Sequence, residues 1–224
     1  MPIIFGLLSN NMWNVRMNIG VGLYHSQNIE GALTTLPGAR IVCPSFADDA
    51  AGLLRTCMRS KGFTLFLEPK ALYNSVEAAA VVPEDFKVPF GKARIRREGT
   101  DLSIITYGNT THFCLNAAER LEKEKGWKVE VIDIRSLVPL DKETIFESVK
   151  KTSKALVVHE DKVFSGFGAE FAAMIGGEMF RYLDGPVQRV GSTFTPVGFN
   201  PILEKEILPD EAKIYEAARK LLEY

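Results

Sequence analysis

The chain's only imidazoles are His25, His112 and His159, the side chains best suited to move a proton near neutral pH. His25 lies in Gly20-Val-Gly-Leu-Tyr-His-Ser-Gln-Asn-Ile-Glu30. The glycines before it permit close approach of a ligand or a second chain. Ser26, Asn28 and Glu30 are residue types that favour a helix start just after it. A His-Ser pair with no third partner of its own is not a self-contained hydrolase triad. His159 ends an apolar run and precedes Glu160 and Asp161. In open α/β sheets the ends of strands are where ligands and interfaces are built. The His159-Glu160 pair reads either as an acid–base dyad or as a hydrogen-bonded tie to the following loop, the structural role being favoured. His112, beside Thr110 and Thr111, reads as a surface residue at a helix start.

Two other residue types carry potential chemistry. Cys43, Cys57 and Cys114 are the only cysteines, too scattered for a disulfide framework and without a CxxC pair for zinc. Cys57 and Cys114 sit in apolar helical patterns, where a thiol behaves as a small hydrophobe, and the compartment implied is reducing. Gly166-Phe-Gly168-Ala-Glu170 opens a helix after a strand. A dinucleotide fingerprint would need glycine or alanine at 171, where Phe171 stands. The glycines are therefore read as allowing a tight turn and close helix–sheet contact.

The elements that must position these groups alternate short β-branched runs with amphipathic helices, the pattern of a mostly parallel sheet covered on both faces. Arg40–Cys43 reads as a strand stopped by Pro44, with Ser45 capping a helix over 47–59. Asp48 and Asp49 lie near its positive end. Thr64–Leu67 is the next strand. From Tyr73 to Arg97 no period is sustained and prolines punctuate the chain. A fresh series follows: strands over 102–108, 129–134, 155–159 and 187–190, and helices from Thr110 to Gly126, from Asp141, over 168–183 and from Asp210. The expected organisation is a segment over 1–75, a linker over 76–96 and a doubly wound α/β domain with a mostly parallel sheet over 97–224.

Composition narrows the class. The 224 residues, 46% hydrophobic and 25% charged, suit one or two globular units. With 27 basic against 28 acidic side chains there is no surplus to hold a phosphate backbone, so no nucleic-acid partner is expected. No apolar run approaches the ~18–20 residues of a membrane span, so no membrane is expected either. Met-Pro-Ile-Ile-Phe lacks the basic start of a secretory signal. Together with the reducing compartment, this makes the expected location cytoplasmic.

Several segments in fixed order carry a family resemblance: Leu23-Tyr-His-Ser-Gln-Asn-Ile-Glu30, Leu36-Pro-Gly-Ala-Arg-Ile-Val-Cys-Pro-Ser45, Asp49-Ala-Ala-Gly-Leu-Leu54 and Phe66-Leu-Glu-Pro-Lys-Ala-Leu-Tyr73. Val131-Ile-Asp-Ile-Arg-Ser-Leu-Val-Pro-Leu-Asp141, His159-Glu160 and Gly166-Phe-Gly-Ala-Glu170 continue the series. From about Gly20 to Tyr224 the chain resembles the beta subunit, or beta half, of thiamine-diphosphate-dependent 2-oxoacid dehydrogenases of the pyruvate and branched-chain type. Transketolase and deoxyxylulose-phosphate synthase share the domain order but fit these motifs less well.

The resemblance implies that residues 1–75 are the C-terminal part of a transketolase-like pyrimidine-binding domain and 97–224 a transketolase C-terminal-type domain. It implies oxidative decarboxylation of a 2-oxoacid, with a lean towards branched-chain substrates, and acyl transfer to lipoamide. Thiamine diphosphate would be shared with an alpha subunit that holds the diphosphate and its magnesium, while the beta side holds the aminopyrimidine. Partners would be the alpha subunit or alpha half, a second beta chain and a lipoyl-bearing acyltransferase core. His25 matches the histidine of the family's His-Ser-Gln motif and is the single catalytic candidate; no cofactor-binding or metal-binding residue is assigned.

The family's activating glutamate belongs to a segment upstream of those present here. Residues 1–19 follow the pattern loosely, so the chain is read as N-terminally incomplete and inactive alone. Asn74 and Gly198 depart from a basic residue and a proline usual in the family. Apolar surface at Ile41, Leu53, Leu54, Leu65 and Leu67 is expected to be left open, giving a homo-oligomer when isolated, a dimer through the C-terminal domains. The alternative function is a non-catalytic assembly module of the same complex, or a piece of a transketolase-like or deoxyxylulose-phosphate-synthase-like enzyme.

Overall fold

A computed structural model describes residues 2–9, by their backbone only, and residues 27–224. In chain order the elements are β1 (Pro2–Ser9), α1 (Glu30–Leu33), β2 (Arg40–Val42), α2 (Ala47–Arg59), β3 (Gly62–Pro69), β4 (Arg94–Arg97), β5 (Leu102–Thr106) and α3 (Thr110–Lys125). They continue with β6 (Val129–Asp133), β7 (Ser136–Val138), α4 (Lys142–Thr152), β8 (Ala155–Lys162), α5 (Gly168–Glu178), β9 (Gln188–Ser192), α6 (Pro201–Ile207) and α7 (Glu211–Leu222).

Two sheets result. The first has the order β1-β3-β2-β7 and the second β4-β6-β5-β8-β9. β1, β3 and β2 run parallel, with Ile4 opposite Thr64 and Ile41 opposite Leu65, and β7 joins antiparallel. In the second sheet β6, β5, β8 and β9 are parallel and β4 is an antiparallel edge. β5 and β6 are buried along their whole length and β8 along all but its last residue, as expected of strands covered on both faces. Leu102, Ile104, Leu156 and Val158 pack under α3 and α7. Ile105, Ile132 and Val157 pack under Ile145 and Val149 of α4 and Phe171 and Ile175 of α5. That second cluster also takes in Ile41, Cys43, Leu65 and Leu67, so the two sheets share one apolar core.

Local signals account for the helix ends. Asp141 accepts a hydrogen bond from the Thr144 amide and Asp210 one from the Lys213 amide, while Gly126 closes α3 at φ +74°, where a side chain would be strained. Several expectations are corrected. The N-cap of α2 is Phe46, without a side-chain cap, because the Ser45 hydroxyl is engaged elsewhere. The helix from Gly168 stops at Glu178, before a 3₁₀ turn over Phe180–Tyr182. The strands β4 and β7 and the helix α6 were not foreseen. Ile41, Leu53, Leu65 and Leu67 are buried, and only Leu54 of the five apolar residues expected at the surface is exposed. The seating of both sheets on one core covers Ile41, Leu65 and Leu67, and Leu53 is buried in a smaller cluster with Val42, Phe66 and Val88.

Candidate functional site

The carboxyl ends of β2, β5 and β8 meet where the sheets join, and polar residues gather there inside an apolar frame. Glu30 opens α1 and is buried. Glu160 and Asp161 extend β8 beyond its apolar run and are buried too. The Gly31 amide donates to Asp161 Oδ2 at 2.9 Å, and Asn28 Nδ2 donates to Glu160 Oε2 at 3.5 Å. The backbone oxygen of Glu160 accepts the hydroxyl of Ser192 in β9. A cavity of about 10 Å³, room for one water-sized group, is bounded by Asn28, Glu30, Cys43, Tyr107, Asn109 and Glu160. Asn109 Nδ2 and Asn28 Oδ1 have no hydrogen-bond partner among the described residues, while the Tyr107 hydroxyl faces the Glu30 carboxyl.

Charge is crowded at this place. Burial, then the negative charges of Asp161 and Glu160, raise the Glu30 carboxyl from the usual range to about 8. Burial also raises Asp161, against the opposing pull of the Lys162 and Gly31 amides. Tyr107 and Cys43 are both pushed well up, chiefly by burial and then by Glu30. Near neutral pH the arrangement thus holds a proton on a carboxyl group, an uncommon state that marks functional sites.

His159 behaves differently from its neighbours. Successive strand residues face opposite sides, and its ring turns away from Glu160, stacked at 6.4 Å on Tyr107. A Cβ added at Gly168 would fall 2.1 Å from His159 Nε2, and one at Gly191 3.0 Å from Cε1. Neither ring nitrogen has a side-chain hydrogen-bond partner among the described residues, and the Asp161 backbone is the polar group acting on the ring. Burial, and secondarily the Arg189 charge, lower its proton affinity to about 4. The close packing of the ring favours the structural reading over the dyad, with shape as the main tie. The glycines at 166 and 168 serve close contact, as their spacing suggested.

Behind the site an ionic network joins the sheets. Asp49 pairs with Arg135 at 2.7 Å and with Arg96, which also holds Asp133 at 2.8 Å. Arg96 lies 3.9 Å from the Phe46 ring centroid. Ser45 donates to Asp133 Oδ1 at 2.9 Å. His112 is not a surface residue: it is buried, its Nε2 lies 2.8 Å from the Ser45 carbonyl, and its ring meets Phe46 at 4.7 Å. The pull of this cross-seam bond draws it inward. A wider cleft of about 350 Å³ lies over α2, between Phe46, Leu54, Phe66 and Tyr73.

Of the residues singled out from sequence, His159 and Glu160 meet at the seam, whereas His25 lies outside the described residues. Glu30 had been noted only as a helix-start residue, and the pairing of Asp161 with Gly31 had not been foreseen. The three consecutive polar residues His159-Glu160-Asp161 ending a buried strand were the available signal. All three cysteines are free and buried. No described helix is long and apolar enough to cross a membrane.

Comparison with known proteins places this geometry. Residues 91–214 match the transketolase C-terminal domain. The chain is 40% identical over 225 residues to the 2-oxoisovalerate dehydrogenase subunit beta of Bacillus subtilis, covering 96% of this chain and 68% of that one. It is 40% identical to the mitochondrial pyruvate dehydrogenase E1 component subunit beta of Saccharomyces cerevisiae, covering 91% and 56%. A 2-oxoisovalerate dehydrogenase subunit beta of Dictyostelium discoideum is also 40% identical, over 91% of this chain and 54% of its own. The chain thus spans between about half and two thirds of these relatives' lengths. Among solved structures, a split-gene transketolase described as an inactive beta4 tetramer superposes with a TM-score of 0.74 at 22% identity, over 99% of this chain and 66% of that one, a likeness of fold. By its similarity over most of its length and by the domain it carries, the chain belongs to the beta subunits of the pyruvate and branched-chain 2-oxoacid dehydrogenases.

Proposed function

We propose that the chain supplies one wall of a shared active site for the oxidative decarboxylation of a 2-oxoacid with acyl transfer to lipoamide. The observation that carries this reading is the 40% identity to dehydrogenase beta subunits along nearly the whole chain. The same observation disfavours a transketolase-like enzyme, since the transketolase structures that share its fold are only 13–22% identical to it. The dehydrogenase relatives include both branched-chain and pyruvate types, and the substrate is proposed as a 2-oxoacid of that range.

Thiamine diphosphate is proposed to lie between this chain and an alpha subunit, which would hold the diphosphate and its magnesium. The fit favours sharing: the enclosed cavity at the seam has room for about one water. When bound, the cofactor supplies carbanion stabilisation. The proposed role of His25 is proton handling during acyl transfer, and residues 28–31, three positions on, are docked at the strand ends where sites of α/β folds lie.

The proposed organisation is a pyrimidine-binding segment over 1–75, a linker over 76–96 and the C-terminal domain over 97–224. The proposed partners are the alpha subunit, a second beta chain and a lipoyl-bearing acyltransferase core, in the cytoplasm. Without an alpha subunit, no turnover is expected. The test is reconstitution of a full-length beta subunit carrying this sequence with an alpha subunit, thiamine diphosphate, magnesium, a 2-oxoacid and lipoamide. His25→Ala should lower acyl transfer by about a hundredfold, the low end for loss of a general acid–base group, with the far-ultraviolet circular dichroism unchanged. Undiminished flux to lipoamide would remove His25 from the site.

A further inference from the structure

We propose that Asp161 is a positioning residue that, with the buried carboxyl of Glu30 beside it, seats residues 28–31 on the end of β8, beginning three positions after His25. This rests on the function proposed above for the meaning of His25, but the seat itself stands on geometry. Gly31 is the contact point. Its amide donates to Asp161 Oδ2, and a Cβ at this residue would fall 2.7 Å from that oxygen and 3.1 Å from Gly166 Cα. No side chain fits between α1 and the loop after β8, so the glycine lets the two backbones close. Asn28 makes a second tie to Glu160. Glu30 lies between them, buried. The Tyr107 hydroxyl, 3% exposed, faces the Glu30 carboxyl, and the unpartnered Asn109 amide borders the polar cavity beside it.

The charges that face Glu30 come from each neighbouring element. β8 contributes Asp161, Glu160 and Lys162, the segment after β5 contributes Tyr107, and the segment after β2 contributes Cys43. Burial lowers the proton affinity of Lys162, while Tyr107 and Cys43 are held in their neutral forms. The sign follows from linkage. A carboxyl whose affinity is raised in the docked state supports docking fully below its undocked midpoint, and that support is lost as pH rises through the docked midpoint. Here the window runs from about 4.5 to about 8. Losing this proton brings a third negative charge beside Asp161 and Glu160 without opening the seam to water, so the seat loosens instead.

The test is hydrogen exchange of the Gly31–Thr34 amides in the full chain at pH 6 and pH 8, corrected for the intrinsic rate. Protection should fall at least tenfold, against a ceiling of about 50-fold for one proton with those two midpoints. Glu30→Gln, neutral at both values, should keep protection within about twofold, and Asp161→Ala should lose it at both. Equal protection of the wild type at the two pH values, or the same fall in Glu30→Gln, overturns the proposal. Should Glu30→Gln not fold, carbon-13 titration of the Glu30 carboxyl in the wild type decides: a midpoint near 8 supports the seat, and one below 5 overturns it. In full-length beta reconstituted with alpha, acyl transfer should decline as pH rises from 6 to 8 for the wild type but not for Glu30→Gln; a decline shared by both removes the positioning role. Exchange needs no turnover, so a normal flux in His25→Ala would sink the functional reading and leave this measurement standing.

Discussion

At the end of β8 the imidazole of His159 sits against Tyr107 and a wall made by Gly166, Gly168 and Gly191. Each glycine stands where a methyl group would press on the ring or the strand beside it, so the imidazole and the turn form one close-fitting unit. A side chain at 168 has nowhere to go, because the ring is enclosed and α5 is anchored through Phe171. Gly168→Ala is therefore expected to cost about 1–3 kcal/mol, the usual range for overpacking. Most of that cost should vanish in a His159→Ala background, a coupling read from urea unfolding of the four variants. Additive effects would show that the ring is not what Gly168 makes room for. The same enclosure keeps the ring neutral. With a midpoint near 4 in the fold against the ordinary 6.5, His159 contributes stability at neutral pH. That contribution falls away as pH drops from about 6.5 through about 4. Its ring proton signals should not titrate between pH 5 and pH 8; a midpoint above 6 would contradict the burial argument.

Between elements, the network around Asp49 binds the first turn of α2 to β4 and to the chain between β6 and β7. Asp49 is fully buried, and Arg96 and Arg135 are nearly so. Asp49→Ala would leave two guanidinium groups short of their counter-charge. The expected loss is about 3–5 kcal/mol, as for other broken buried pairs, measured as a lowered denaturant midpoint. A change below about 1 kcal/mol, the scale of a surface pair, would mean that water reaches this seam. The same network shows what was legible in the residues. The runs Leu102–Thr106, Val129–Asp133 and Ala155–His159 declared their strands because both faces are buried. Asp141, Asp210 and Gly126 declared helix ends because a cap needs only local geometry. Arg94-Ile-Arg-Arg97 and Ser136–Val138 carry no period of their own and become strands only by pairing with β6 and β2. Ser45 has the chemistry of a cap, yet its hydroxyl goes to Asp133, 88 residues away. In the site, His159-Glu160 stood out as polar residues on an apolar strand. The meeting of Gly31 with Asp161, 130 residues apart, has no signal within either segment.

For the molecule as a whole, the shared core alters the reasoning about association. The apolar residues expected to drive it, Ile41, Leu53, Leu65 and Leu67, are inside, and cannot supply a sticky surface. What the C-terminal unit does present is Phe164 after β8 and Phe194 after β9, their rings 4.6 Å apart and each about two thirds exposed. Two neighbouring aromatic rings left open to water are a costly feature for a lone chain and an effective anchor for an interface. A homo-oligomer through the C-terminal unit is thus still proposed, on different residues from those first expected. Sedimentation at micromolar concentration should give a dimer or larger species for the isolated chain. Phe164→Ser with Phe194→Ser should shift it to monomer while leaving the thermal midpoint close to that of the wild type, since exposed rings contribute little to the fold itself. Leu54→Glu, on the far element α2, should leave the assembly intact. A wild-type monomer would refute the association, and an oligomer undisturbed by the paired serines would refute this surface.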